Sequence, residues 1–172
     1  LREFEDRIDA QMYGPDVLAA VGRRAGDILA RKTKTGELEQ WLASKDLLSK
    51  LAGWMGLSQR IKSTRIVTYH KTYVYFTERF GLNIACELED KPGIPPPAQR
   101  RDAIVEQVKS QGIKVILNDN FYSREASDYV AGKTGARVLV TYLDVGGTAE
   151  VDTYEKLISF LIEKISAAVY AQ

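Results

Sequence analysis

The amino-acid sequence predicts an α/β fold, in which a four-stranded doubly wound parallel sheet is flanked by helices and preceded by an all-helical segment. Up to about residue 63 the apolar residues recur at helical spacing. Beyond that point, short β-branched runs alternate with helical stretches of about 10 to 17 residues. Short connections between such strands and helices imply right-handed crossovers, and these give a parallel sheet that is covered on both faces.

The helical segment begins with a stretch in which Phe4, Ile8 and Met12 repeat at four-residue spacing among charged residues. Pro15 suits the first turn of a second helix, and the apolar stripe of that helix extends to Leu29. Two shorter helices follow a turn near residue 36. Each of them places one tryptophan on its apolar stripe, and we expect both to be packing residues: Trp41 and Trp54.

The second part of the chain contains four predicted strands. They cover residues 65–69, 82–88, 113–117 and 137–143. A proline-rich loop over 91–97 follows the second strand, because proline removes the backbone donor that a regular element needs. The clearest helix is the last one, which begins near Tyr154 and carries an apolar stripe to Val169.

Composition excludes several classes of function. Lys and Arg number 24 against 23 Asp and Glu, so neither part of the chain is basic enough to follow the backbone of a nucleic acid. A single cysteine, Cys86, excludes a disulfide framework, and no apolar run approaches the roughly 20 residues that span a bilayer. A single histidine, His70, excludes a site built from several histidines of this chain.

Polar residues stand directly after the predicted strands, where ligands meet the carboxyl ends of an open parallel sheet. These residues are His70, Glu89, Asp90, Asn118, Asp119 and Asp144. Imidazole and carboxylate are ligands that zinc accepts at neutral pH. We expect the third strand to lie between the first and the fourth, which would separate His70 and Asp144 by roughly 10 Å at the backbone. Two ligands are half of the four that zinc usually takes.

The residues alone leave simpler interpretations open. A histidine at the start of a helix is commonly a surface or capping residue, and an aspartate after a strand is commonly a turn former. Gly146 and Gly147 have no phosphate-loop spacing, and Ser123 and Ser127 belong to no nucleophile motif. The sequence therefore offers no catalytic residue, and we expect the chain not to be an enzyme.

Several segments in order resemble one family. The run IVTYHKTYVYF over 66–76, the proline-rich loop that leads to Gln99-Arg100, the segment Tyr142-Leu143-Asp144 and the start of the last helix are similar to the C-terminal lobe of zinc and manganese solute-binding proteins of ABC transporters. This family includes metal-binding lipoproteins and adhesins. The resemblance covers residues 63–172.

The resemblance implies a two-lobed periplasmic protein that captures a divalent metal and delivers it to an ABC permease. Each lobe of such a protein gives two ligands, and the positions in the C-terminal lobe match His70 and Asp144. A histidine at the first position favours Zn²⁺, with Mn²⁺ as the alternative. An N-terminal lobe and a signal sequence are expected upstream, so this chain would hold half of the site and bind metal weakly.

By this resemblance the chain divides into three parts. Residues 1–13 would end the helix that links the lobes, 14–62 would be a helical insertion, and 63–172 would form the C-terminal lobe. Two residues near the site differ from the family pattern. Lys71 places a cation beside His70, and Asn118 stands where members of the family commonly carry Glu. The alternative hypothesis is a self-contained α/β module that binds a partner, or a small enzyme that uses no metal.

Overall fold

The computed structural model describes residues 2–91 and 93–170. The chain forms two compact units, Leu1–Arg60 and Ile61–Gln172. Among the described residues, no helix has both the length and the apolar character needed to cross a membrane. The predicted three-part division of the chain, at residues 13 and 62, stays a prediction.

The first unit is entirely helical. The elements are α1 (Arg2–Tyr13), α2 (Pro15–Val21), α3 (Ala25–Lys34), α4 (Leu38–Ala43), a 3-10 helix (Leu48–Lys50) and α5 (Gly53–Ser58). Helix α1 packs against three other helices of the unit, α2, α3 and α5.

Two helices that the sequence predicts as continuous are each divided in the structure. The helix predicted from Pro15 to Leu29 breaks after Val21, because Gly22 and Arg24 both take positive φ angles, 80° and 63°. The stretch predicted around Trp54 begins as a 3-10 helix, and its C-cap Leu51 is extended before α5 starts. The spacing of apolar residues cannot reveal such breaks, because two short consecutive helices can continue the same apolar spacing along the sequence.

Burial in the first unit follows the apolar stripes only in part. The predicted stripe of α1 is wrong at its first position, because Phe4 is 47% exposed. Trp54 is buried as predicted, whereas Trp41 is half-buried and lies under the ammonium of Lys45, 5.3 Å from the ring centre. The fully buried large side chains of this unit are Tyr13, Leu29, Leu38, Leu42 and Trp54.

The end of helix α1 and the start of α5 are in direct backbone contact. The amide of Ala52 donates to the carbonyl of Tyr13 over 3.1 Å. Gly53 has a φ of 56°, and a Cβ placed there would overlap the carbonyl oxygen of Gln11. Glycine is therefore required at this position for two reasons, the positive φ and the space.

The second unit holds the predicted parallel sheet. The elements are β1 (Arg65–Thr68), α6 (Val74–Phe80), β2 (Asn83–Glu87), α7 (Ala98–Gln111), β3 (Val115–Asp119), α8 (Glu125–Thr134), β4 (Arg137–Thr141), a 3-10 helix (Ala149–Val151) and α9 (Tyr154–Tyr170). The strand order is β2-β1-β3-β4, and all neighbouring strands run parallel.

Right-handed crossovers assign the helices to the two faces of this sheet. The chain moves from β1 to β2 in one direction and from β2 through β3 to β4 in the other, so α6 lies on one face and α7 and α8 on the opposite face. Helices α7 and α8 pack together over a buried cluster that includes Val67, Ile104, Ile116 and Val130. The predicted doubly wound sheet is thereby confirmed, and the direction of winding changes between β1 and β3.

The third strand starts two residues later than predicted. Gly112, with a φ of 62°, ends α7, and the amide of Ile113 donates back to the carbonyl of Val108 over 3.0 Å. Ile113 thus belongs to the cap of the helix, as in a Schellman motif. The strand consequently extends to Asp119, and Asn118 and Asp119 lie within it rather than after it.

Replacement of Gly53 by alanine should lower the free energy of unfolding of the first unit by about 2–4 kcal/mol, because the methyl group meets the backbone of Gln11 and the φ is positive. Both tryptophans of the chain lie in this unit, so tryptophan fluorescence in a denaturant titration reports its unfolding.

The matched control is Gly36→Ala. Gly36 also has a positive φ, 72°, but its Cβ would enter open space, and the expected cost is about 1 kcal/mol. Equal losses for the two variants would contradict the role of the close backbone approach at Gly53.

Candidate metal centre

The carboxyl edge of the sheet brings together residues from three neighbouring strands. Hydrogen bonds of the ladder continue past the strand ends: the amide of Tyr69 donates to the carbonyl of Leu117 over 2.9 Å, and the amide of Glu89 donates to the carbonyl of Tyr69 over 3.0 Å. His70 therefore stands between the end of β2 and the end of β3. This is where the winding of the sheet changes direction, which is the usual ligand position in such folds.

His70 pairs with Glu89. The His70 Nδ1 atom lies 3.5 Å from Glu89 Oε2, and the exposed fractions of the two side chains are 26% and 2%. Both of these atoms are buried and neither has a hydrogen-bond partner. The side chain of His70 thus keeps an exposed part although its Nδ1 atom is covered.

Glu89 is held firmly by the start of the proline-rich loop. Its Oε1 atom accepts a hydrogen bond from the amide of Gly93 over 2.7 Å. Arg100, in the first turn of α7, donates to the carbonyl of Glu87 over 2.7 Å and forms an ion pair with Asp90 at 3.2 Å. These contacts attach the segment after β2 to helix α7, so the carboxyl group of Glu89 has little freedom to move.

A second carboxyl group, that of Asp119, is buried beneath the loop that carries His70. The hydroxyl of Tyr73 donates to Asp119 Oδ1 and lies 2.7 Å from the hydroxyl of Thr141, and Thr72 Oγ1 donates to Asp119 Oδ2 over 3.2 Å. Burial raises the pKa of Asp119, while the hydroxyl donors and the nearby His70 offset part of this rise. Burial and the charge of Asp119 also raise the pKa of Tyr73.

Asn118 faces away from this cluster. Its Nδ2 atom donates to the carbonyls of Asp119 and Tyr122 over 3.0 and 3.3 Å, and Ser127 Oγ donates to its Oδ1 atom over 2.5 Å. The amide of Asn118 thus fastens the turn between β3 and α8.

Asp144 lies three residues beyond the end of β4, in an exposed turn. The amide of Gly146 in the same turn donates to the carbonyl of Val151 over 2.7 Å. His70 pairs with Glu89 rather than with Asp144. In the described part of the chain, no three His, Cys, Asp or Glu residues are grouped so that they could hold a metal ion together.

Sequence reasoning noted Glu89 and Asp119 as residues at strand ends but did not assign them a role. It assigned no separate role to Tyr73, whose buried hydroxyl donates to Asp119 in the structure. A buried carboxyl group needs donors, and three residues with hydroxyl groups lie at strand or helix ends around Asp119. The presence of these hydroxyl-bearing residues could have indicated a buried carboxyl group, but the sequence does not reveal which hydroxyl donates to which carboxyl group.

Known proteins resemble this chain in sequence. A family model described as zinc-uptake complex component A periplasmic, ZnuA, matches residues 41–168. The high-affinity zinc uptake system protein ZnuA of Buchnera aphidicola subsp. Schizaphis graminum is 29% identical over 104 residues, which cover 60% of this chain and 32% of that protein.

Solved structures share the fold. A cadmium-bound periplasmic metal-binding protein from Candidatus Liberibacter asiaticus superposes with a TM-score of 0.57 at 22% identity, over 84% of this chain and 57% of that one. The solute-binding protein FpvC from Pseudomonas aeruginosa, in complex with Mn²⁺, gives a TM-score of 0.54 at 19% identity, over 86% and 56%. The chain thus spans about a third of the curated relative and little more than half of these structures.

The family match covers most of the chain, including the sheet and every residue of its carboxyl edge described above. The chain belongs to the zinc-uptake complex component A periplasmic family.

Proposed function

We propose that this chain is the C-terminal part of a periplasmic solute-binding protein that captures a divalent transition metal for an ABC importer. The observation that carries the proposal is the position of His70, the single imidazole of the sequence, between β2 and β3 at the carboxyl edge, with its side chain 26% exposed. The metal is cargo, and we propose Zn²⁺ as the preferred ion and Mn²⁺ as the alternative. The similar proteins include a zinc uptake protein and solved proteins with bound Mn²⁺ and cadmium, which supports this class of cargo.

In this proposal His70 and Asp144 are the two ligands that this chain contributes. Imidazole nitrogen and carboxylate oxygen suit zinc, and a four-coordinate ion requires two more ligands. Those ligands would come from an N-terminal lobe, consistent with the larger size of the relatives. Asp144 lies on an exposed turn, so its carboxylate is accessible to an ion from solvent.

The Asp119 cluster would support the metal site by holding the loop that carries His70. Thr72 donates through its amide to the carbonyl of His70 over 2.9 Å, and through its hydroxyl to Asp119. Tyr73 follows directly and donates to the same carboxyl group. Asp119 thereby attaches two consecutive residues of the loop to the end of β3.

The proposed partners are the missing N-terminal lobe and the permease of a metal importer, and the proposed location is the periplasm, with a signal sequence upstream. The alternative hypothesis, a self-contained module or a small enzyme, finds less support. Its pocket would need polar groups that converge on a substrate, whereas Asp119 and Asn118 are occupied by internal hydrogen bonds. Membership in a transport family points the same way.

Zinc binding by this chain should be weak and should depend on His70, because two ligands hold the ion less tightly than four. In calorimetric titrations with Zn²⁺, His70→Ala should abolish the binding that the chain shows. Asp144→Asn should weaken binding by about tenfold or more.

Asp128→Asn is the matched control, since Asp128 is an exposed carboxylate on α8 that pairs with Arg124. It should leave the affinity for zinc unchanged. Tight binding that survives His70→Ala would overturn the proposed site, and the same result with Asp144→Asn would remove that residue from it.

Tyr73→Phe should destabilise the second unit by about 1–3 kcal/mol, because it removes a hydrogen bond from the buried carboxyl group of Asp119. The pKa of Asp119 should rise further, since the Tyr73 hydroxyl is one of the groups that lower it. Amide hydrogen exchange at Leu117 and Asn118 in β3 measures the stability of this unit alone.

Tyr75→Phe serves as the control for this substitution. Tyr75 lies on the same helix turn but is exposed, so the loss of its hydroxyl should change exchange little. If the two variants exchange at the same rate, the Asp119 cluster does not stabilise the loop.

A further inference from the structure

We propose that Glu89 is a positioning residue, which holds the imidazole of His70 in the tautomer that carries its proton on Nδ1 and leaves Nε2 free as a ligand. The metal-binding consequence of this inference rests on the proposed function. The tautomer itself does not, because it is a property of the metal-free chain.

The pair contains complementary atoms that have no other partner. His70 Nδ1 and Glu89 Oε2 face each other at 3.5 Å, and both are buried without a hydrogen bond. A carboxylate oxygen can only accept a hydrogen bond, so the pairing is satisfied when the proton of the neutral imidazole is on Nδ1. The separation of 3.5 Å exceeds the upper end of the range for N–H···O hydrogen bonds by about 0.3 Å.

The rigidity of Glu89 makes it the member of the pair that sets the geometry. Its backbone amide is bonded to the carbonyl of Tyr69, and its Oε1 atom accepts from the amide of Gly93. Oε2 is therefore fixed in place and aimed at the residue that follows Tyr69. His70 is the more exposed partner and adapts to it.

This arrangement has a chemical consequence for a metal ion at His70. A histidine ligand whose other nitrogen donates to a carboxylate has a fixed ring orientation and a more basic ligating nitrogen. The loss of such a partner typically costs about 10- to 100-fold in metal affinity. Glu89 would thus act on the ion through His70, without touching it.

The tautomer can be read directly, because the chain contains one histidine. Long-range ¹⁵N–¹H correlation spectra of the metal-free chain, recorded where the imidazole is neutral, should show a protonated Nδ1 and an unprotonated Nε2. In Glu89→Gln, the side-chain oxygen remains with the amide of Gly93 and the NH₂ group faces His70. The proton should therefore move to Nε2.

Glu87→Gln is the matched control, since Glu87 lies two residues earlier, at the end of β2, and its side chain is not paired with His70. It should keep the tautomer of the unsubstituted chain. Zn²⁺ titrations of the same samples should show affinity reduced about 10- to 100-fold in Glu89→Gln and unchanged in Glu87→Gln.

The results separate this inference from the proposed function. A proton on Nε2 in the unsubstituted chain, an unchanged tautomer in Glu89→Gln, or unchanged zinc affinity in Glu89→Gln would each overturn the role of Glu89. Zinc binding at His70 with the proton on Nε2 would leave the proposed function standing without the inference. If the tautomer is as expected but zinc does not bind at His70, the role of Glu89 in setting the tautomer would stand and the proposed function would fall.

Discussion

The parallel pairing of β1 with both β2 and β3 is the constraint on which the site depends. Strand β1 comes first along the chain, and it can occupy the middle of the sheet only because the crossover to β2 and the crossover to β3 run in opposite directions. Its carboxyl end consequently lies between two others. The same winding places α6 and α7 on opposite faces, and His70 follows β1 at this change of direction, which is the usual ligand position in such folds.

Two buried carboxyl groups, those of Asp119 and Glu89, lie near the carboxyl end of β1, and their hydrogen-bond partners differ. Asp119 is within reach of three hydroxyl groups, and its hydrogen bonds tie β3, β4 and the loop after β1 together. Glu89 has one oxygen bonded to a backbone amide and the other directed at an imidazole. A carboxyl group with its bonding capacity used internally stabilises the fold, whereas one with a free acceptor beside a potential ligand can influence chemistry.

The helical unit depends on a close contact between two helix backbones. Close backbone contact between α1 and the start of α5, permitted by Gly53, adds to the core of buried side chains that holds these short helices together. The family match begins at residue 41, within α4, so the later helices of this unit fall inside the family pattern. Periodicity identified the helices here but not their breaks, because Gly22 and Arg24 act through backbone angles that leave the apolar spacing unchanged.

The sequence by itself determined the fold class, the four strands and the polar residues that follow them, because each depends on a local pattern of apolar residues and breakers. His70 at the end of β1 was recognisable on that basis. Only the tertiary structure decided that His70 lies beside Glu89 and that the hydroxyl of Tyr73 donates a hydrogen bond to Asp119. Residues 19 and 46 positions apart come into contact through strand order and register, and these follow from the packing of the whole sheet rather than from any local segment.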